Sequence, residues 1–262
     1  MSASADRAVE DEVVVAVEQG VMVVTLNRPQ VRNAINTSTA YAISTALDEL
    51  DSRNDLIAGV VVGEGGTFCS GMDLKAFLAG ERPSVPGRGF AGIVERGSDK
   101  PLVAGVEGAA VAGGFEIALA CDLIVAGESA RFGLPEVKRS LVPAGGGLLR
   151  LPQRIPYGIA MELALTGATL PATRAQQLGL INRLVPDGGA RSAAIELARE
   201  VARNGPLAVR AIKHIVSRSR DWPAEEFFDR QRPIAEAVRS SEDAREGARA
   251  FREKRAPVWR GQ

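Results

Sequence analysis

Two glutamates twenty positions apart, Glu116 and Glu136, each follow a short apolar run in one stretch of the chain. Leu102–Val106 reads as a buried strand, and small residues and glycines fill Gly108 to Gly114. A helix then begins with Glu116 in its first turn. A second apolar run, Leu123–Val125, leads to Phe132-Gly133-Leu134-Pro135-Glu136. The Ala112-Gly113-Gly114 step has almost no side chains, so a ligand can reach the backbone N–H groups where the helix starts. Donors aimed at a developing negative oxygen, beside two carboxylates in an apolar setting, suit acid–base chemistry on a carbonyl compound. Each glutamate alone is equally an ordinary helix-start carboxylate, favoured by the helix dipole by a few tenths to about 1 kcal/mol. Two of them, with glycines directly before one, make the case for chemistry. Phe68–Lys75 repeats the logic: the small turn Ser70-Gly71 presents the N–H of Met72 where another helix begins.

Other chemistries lack their residues. The only histidine, His214, sits with Arg210 and Lys213 away from the apolar stripe Val209, Ile212, Ile215 and Val216, and reads as a surface residue. A Ser-His-Asp, Cys-His or zinc site would have to use it. The two cysteines, Cys69 and Cys121, stand outside any Cys-x-x-Cys pair among small and apolar neighbours, which suits buried free thiols. No metal site is expected. After the run Ile57–Val62, Gly63-Glu64-Gly65-Gly66-Thr67-Phe68 has phenylalanine where a dinucleotide fingerprint needs glycine. A nucleophile elbow around Ser70 fails at the same residue. No glycine run ends in Gly-Lys-Ser/Thr, which excludes a P-loop.

The elements that must position these residues alternate. Val13–Val17 and Val21–Leu26 read as a hairpin around Glu18-Gln19-Gly20. Thr37 or Ser38 is the expected cap of a helix burying Ile43, Ala46, Leu47 and Leu50. Gly80–Gly92, rich in Gly and Pro, reads as a mobile loop beside the site. Helices are expected at Leu148–Arg154 and Arg174–Leu178, and a last strand at Ile181–Val185. Beyond Pro186 the pattern is helical only: Ala190–Arg203, Pro206–Arg220, Pro223–Arg239 and Glu242–Lys254. The class is therefore α/β, with a core over 1–189 and a helical region over 190–262. With 32 basic and 32 acidic residues among 262, no nucleic-acid or membrane-surface partner is indicated. No apolar run approaches the roughly 20 residues of a membrane span. The segment MSASADRAVEDE carries no leader signal. A cytoplasmic location is expected.

Taken together, Asn27-Arg28-Pro29 with Asn33-Ala34, Phe68–Lys75, Gly108–Glu116, Cys121-Asp122, Phe132–Glu136, Pro143–Gly147 and Ala250–Arg255 resemble the crotonase (enoyl-CoA hydratase/isomerase) superfamily. The likeness runs from about Val13 to Arg260. It implies a spiral of ββα units and an all-helical C-terminal region that builds trimers, often stacked as hexamers. It implies a coenzyme A thioester as substrate, with no separate cofactor. The thioester oxygen would accept from the N–H groups of Met72 and Gly113. Glu116 would activate water and Glu136 would serve the Cα proton. Coenzyme A contacts would come from Arg28, Arg32 and Lys75, and from Phe251 and Lys254 of a neighbouring subunit; Arg28 and Lys75 read equally well as plain surface cations. Phe115 and the tails Ser241–Gly247 and Pro257–Gly261 resemble the carnitinyl-CoA dehydratase branch and mycobacterial-type hydratases. The resemblance thus points to an enoyl-CoA hydratase. An enoyl-CoA isomerase, a carnitinyl-CoA-type dehydratase and a non-catalytic acyl-CoA binder stand as alternatives, the retained glutamate pair speaking against the last.

Overall fold

The computed structural model describes residues 11–262; the N-terminal reading above therefore lies mostly outside the described residues. The chain opens with β1 (Val13–Glu18) and β2 (Val21–Leu26), an antiparallel pair, then α1 (Thr37–Ser52) and β3 (Ala58–Gly63). Helix α2 (Leu74–Leu78) and the short hairpin β4 (Ser84–Val85) and β5 (Gly89–Phe90) follow. Next come β6 (Leu102–Val106), β7 (Ala109–Val111), α3 (Gly113–Ala120), β8 (Leu123–Gly127) and β9 (Arg131–Gly133). Helices α4 (Gly147–Arg154) and α5 (Tyr157–Thr166), β10 (Thr169–Pro171), α6 (Ala172–Gln177) and β11 (Arg183–Val185) close the α/β part. Helices α7 (Ala190–Ala202), α8 (Pro206–Arg218), α9 (Phe227–Arg239) and α10 (Glu242–Glu253) complete the chain.

From β6 to β9 successive strands alternate between two sheets, with β4–β5 a separate hairpin. The larger runs β1-β2-β3-β6-β8-β11, parallel except for β1 against β2. The smaller runs β10-β9-β7 and is extended by single bridges from Ala110 to Cys69 and from Met72 to Ile35. Each turn of chain thus lays one strand in each sheet and then a helix, which is the spiral of ββα units. Strand β2 is buried at all six positions because both of its faces are covered. Met22, Val24 and Leu26 join the main core, which also holds α1 and α3; Val21 and Val23 face the opposite way, onto Ala194, Ile195 and Ala198 of α7. Phe115 on α3 and Phe132 on β9, both fully buried, meet with ring centroids 5.4 Å apart. This contact ties together the two elements that deliver the glutamates.

Several expectations change in detail. Asn36, not Thr37 or Ser38, caps α1: its Oδ1 accepts from the Thr39 N–H at 2.9 Å. Gly80–Gly92 is a packed hairpin rather than a mobile loop. Val85 and Ala91 are buried, and the buried Arg88 donates to the carbonyls of Arg96 and Gly97 and pairs with Asp48 of α1. A buried guanidinium with all these partners holds the segment down. Residues 190–262 do not behave alike. Helix α7 covers the large sheet, whereas α8 and α9 bury no residue fully in the single chain. Ile212, Val216, Phe227, Phe228 and Phe251 stand exposed on the last three helices. Lys213 ties α8 back to the core, its Nζ 2.7 Å from Asp122 Oδ2.

Candidate active site

Glu116 lies in the first turn of α3 and is 4% exposed. Its Oε1 accepts from the N–H groups of Gly145 (2.7 Å) and Gly147 (2.9 Å). Arg150 donates to the Gly145 carbonyl and adds a positive charge nearby. Burial nevertheless holds the Glu116 carboxyl above its ordinary range; the two N–H donors and Arg150 pull the other way. Glu136 sits in a 3₁₀ turn, Pro135–Arg139, with Pro135 at its start. Its Oε2 is buried with no hydrogen-bond partner among the described residues. Burial again pushes the carboxyl up, and the charge of Glu116 pushes it further, which places the two groups within electrostatic reach. One carboxylate is therefore well supplied with donors and the other has an oxygen left open. An orphaned carboxylate oxygen aimed inward is a group awaiting a proton or a polar ligand.

The two candidate donors face the same region. Glycine is required at position 71: φ is +95°, and a Cβ there would lie 2.9 Å from both the Ala112 Cβ and the Gly113 nitrogen. That near-contact puts the Ser70–Met72 turn against the start of α3. Gly114 is equally constrained, since its Cβ would lie 2.1 Å from the Cys69 carbonyl oxygen. In a trans peptide the C=O and the following N–H point in opposite directions. The Gly71 carbonyl accepts from the Ile35 N–H at 2.8 Å, so the Met72 N–H points away from that strand. The Ala112 carbonyl accepts from Phe115 and Glu116, so the Gly113 N–H points out of the helix start. Neither N–H donates to a protein acceptor among the described residues. Ala112 itself has φ +53° and ψ −132°, a region costly for a residue with a side chain, of order 1–3 kcal/mol. The strain turns the chain from β7 directly into α3. Phe90 of the β4–β5 hairpin covers the flank of Gly113, where an added Cβ would lie 2.4 Å from its ring.

The structure thus brings Glu116, Glu136, Met72 and Gly113 into one site. The residues expected to hold coenzyme A fall in two groups, Arg28, Arg32 and Lys75 around the Ser70–Lys75 loop and Phe251 and Lys254 at the end of α10. Arg28 is engaged on all three guanidinium nitrogens, by Glu12 (3.0 Å), Asp73 (3.1 Å) and the Ala34 carbonyl. Arg32 and Lys75 are exposed and form no ion pair among the described residues. Phe251, 87% exposed, and the exposed Lys254 belong to the α10 segment. His214 is exposed, and burial pushes both Cys69 and Cys121 thiols up to about 12, so neither is a nucleophile at neutral pH. Sequence reasoning missed the role of Gly145 and Gly147 as donors to Glu116; the glycine run Gly145–Gly147 was the available signal. It places Gly80–Gly92 beside the site without singling out Phe90, whose ring reaches Gly113.

A buried carboxylate and a half-buried one beside two free peptide donors can carry acid–base chemistry on a carbonyl substrate. A family model described as enoyl-CoA hydratase/isomerase matches residues 16–262, and the chain belongs to that family. It is similar to the enoyl-CoA hydratase EchA19 of Mycobacterium tuberculosis, 44% identical over 247 residues, covering 90% of this chain and 91% of the relative. A carnitinyl-CoA dehydratase of Salmonella typhi is 42% identical over 250 residues, covering 92% of this chain and 95% of the relative. Among solved structures, an enoyl-CoA hydratase EchA1 from Mycobacterium marinum superposes with a TM-score of 0.95 at 52% identity, covering 97% of this chain and all of that one. The fold is that of these crotonase-type hydratases.

Proposed function

We propose that the protein is an enoyl-CoA hydratase, adding water reversibly across the α,β double bond of a 2-enoyl-CoA thioester. The observation that carries this reading is the unequal pair: Glu116 with two N–H donors, Glu136 with an open oxygen, beside two unpaired peptide N–H groups. The thioester oxygen accepts from Met72 and Gly113, which stabilise the enolate-like charge as water adds. Glu116, supported by the N–H groups of Gly145 and Gly147, is the better carboxylate and takes the proton of the attacking water. Glu136, with its lone pairs less satisfied and the Glu116 charge nearby, is the better acid and delivers the proton to Cα. The roles exchange in dehydration.

The coenzyme A moiety is read as held by Arg32 and Lys75, with Arg28 already ion-paired, and by Phe251 and Lys254 of a neighbouring subunit. Homotrimers, or hexamers as dimers of trimers, would cover the exposed apolar residues of α8–α10. The buried free thiols suit a reducing compartment, and the cytoplasm is the proposed location. Among the described residues no helix is long and apolar enough to cross a membrane. The deciding experiment follows loss of the enoyl-thioester absorbance with crotonyl-, long-chain, crotonobetainyl- and steroid-enoyl-CoA. Turnover of one or more supports the hydratase and selects its branch. Double-bond migration in place of hydration would make it an isomerase, and no turnover of any would remove the reading.

No metal or redox cofactor enters this mechanism, because carboxylates and peptide N–H groups supply both proton transfers and the charge stabilisation. EDTA should leave the rate unchanged; a loss reversed by a divalent ion would overturn the scheme. Lys254→Ala should raise KM for the CoA thioester and leave kcat nearly unchanged, since a remote phosphate contact is the same in ground and transition states. The effect should shrink as salt rises. It should also vanish with the 3′-dephospho analogue; an equal loss on both substrates would remove Lys254 from the binding site.

A further inference from the structure

We propose that Asn33 and Cys69 are positioning residues that aim the Met72 N–H at the thioester oxygen. The inference rests on the oxyanion reading above and concerns what fixes one of its two donors. Backbone hydrogen bonds clamp the Ser70–Asp73 loop against residues Arg32–Ile35. Ser70 N–H donates to the Arg32 carbonyl (3.0 Å), Ile35 N–H to the Gly71 carbonyl (2.8 Å) and Asp73 N–H to the Ile35 carbonyl (2.8 Å). The second of these holds the very peptide group whose N–H is the donor. The direction of Met72 N–H therefore follows the placement of residues 32–35.

Asn33 sets that placement. It is 1% exposed and has a left-handed backbone, φ +54°. Its Oδ1 accepts from the Arg28 N–H (2.9 Å), and its Nδ2 donates to the carbonyls of Glu64 (2.9 Å) and Thr67 (2.6 Å). One side chain thus joins the turn after β2 to the turn after β3, the two segments that carry the donor loop and its clamp. Both amide hydrogens of Asn33 and its oxygen are used inside the protein, none on solvent. Cys69 braces the same loop from the other side. Its Sγ accepts from the Gly71 N–H at 3.3 Å, while its own N–H donates to the Ala109 carbonyl (3.1 Å) and its carbonyl accepts from Val111 (3.1 Å). Cys69 thereby fastens the loop to β7, the strand that leads to Gly113. The two donors are held in one frame by the Asn33 side chain, the Cys69 sulfur and the Cys69 backbone, none of which need touch substrate.

The test uses the full-length protein and a saturated acyl-CoA ¹³C-labelled at the thioester carbonyl, which binds without reacting. The wild type should lower the carbonyl stretch relative to free thioester, because two N–H donors polarise the bond. Asn33→Gly keeps the left-handed backbone at no steric cost and removes only the side-chain bonds. Cys69→Ala removes only the sulfur. Each should return the band part of the way to the free frequency. Each should also lower kcat on an enoyl-CoA by about 10-fold to 10²-fold, a misaimed donor costing less than or up to as much as a missing one. KM should stay within about two-fold, since coenzyme A supplies most of the binding. Should Asn33→Gly fail to fold, Cys69→Ala decides by the same readouts. A band unmoved in a folded variant, whatever its stability or rate, overturns the positioning role. A wild type that leaves the band unshifted removes the oxyanion reading and this inference with it.

Discussion

Glu116→Gln and Glu136→Gln should each cut kcat by about 10²-fold or more, the range a positioned general acid or base supplies. Both carboxyls are raised in the folded chain, so both amides should gain stability over the wild type as pH rises. In Glu116→Gln the amide oxygen can still accept from Gly145 and Gly147, so the fold keeps its bonds, and a modest change in Tm is expected. Glu136→Gln should raise Tm near pH 8. Burial and the Glu116 charge raise the Glu136 pKa in the folded chain, so the folded state holds its proton more tightly than the unfolded one. The wild type then loses stability as pH rises from the ordinary carboxylate value through the raised one. An uncharged amide removes that loss, and the Tm advantage should close again below about pH 4, where the unfolded carboxyl is also protonated. Thermal melts at both pH values, run beside turnover, separate the effects. Near-normal turnover in either variant would remove that glutamate from the mechanism, and a Glu136→Gln protein no more stable at pH 8 would contradict the half-buried carboxylate with its unsatisfied Oε2.

Gly113→Pro should be the most damaging change at the donor site, with a loss of about 10²–10³-fold in kcat, the cost of removing one oxyanion donor. Proline deletes the N–H but is otherwise admissible at the first position of a helix. It also adds a Cβ that would lie 2.4 Å from the Phe90 ring, so crowding must be separated from the lost donor. Gly113→Ala supplies the control. Alanine brings the same Cβ and the same pressure on Phe90, but keeps the N–H. The ratio of the two rates therefore cancels the Cβ crowding and leaves the lost N–H together with the proline ring that replaces it. Met72→Ala should be mild, because the donor there is backbone and the Met72 side chain is not needed to hold it. Equal losses in Gly113→Pro and Gly113→Ala would assign the damage to Phe90. Abolition of activity by Met72→Ala with coenzyme A binding intact would contradict the backbone-donor reading.

The sequence by itself marked the glutamate pair, the glycine step before α3 and the alternation that builds an α/β spiral followed by helices. Each is a local signal. A run such as Val21–Leu26 must be buried on both faces, a glutamate after glycines marks a helix start, and a single histidine narrows the chemistry. Tertiary structure decided what those signals mean. The strands β7, β9 and β10 have three residues each, too short to show an alternation, and exist because the smaller sheet pairs them. The hairpin at 84–90 owes its order to Arg88 reaching Asp48, forty positions away. The unequal standing of the glutamates is invisible locally, since both follow a buried strand at a helix start. It arises because Gly145 and Gly147, twenty-nine and thirty-one positions on, turn their N–H groups onto Glu116, while no donor reaches the buried oxygen of Glu136 among the described residues. Arg28 reads in sequence as a coenzyme A contact or a plain surface cation, and becomes an ion-paired tie only when folding brings Glu12 and Asp73 to it. Hydrogen bonds between segments distant in the chain leave no periodic trace, so the difference between the two glutamates is decided only once the backbone donors are in place.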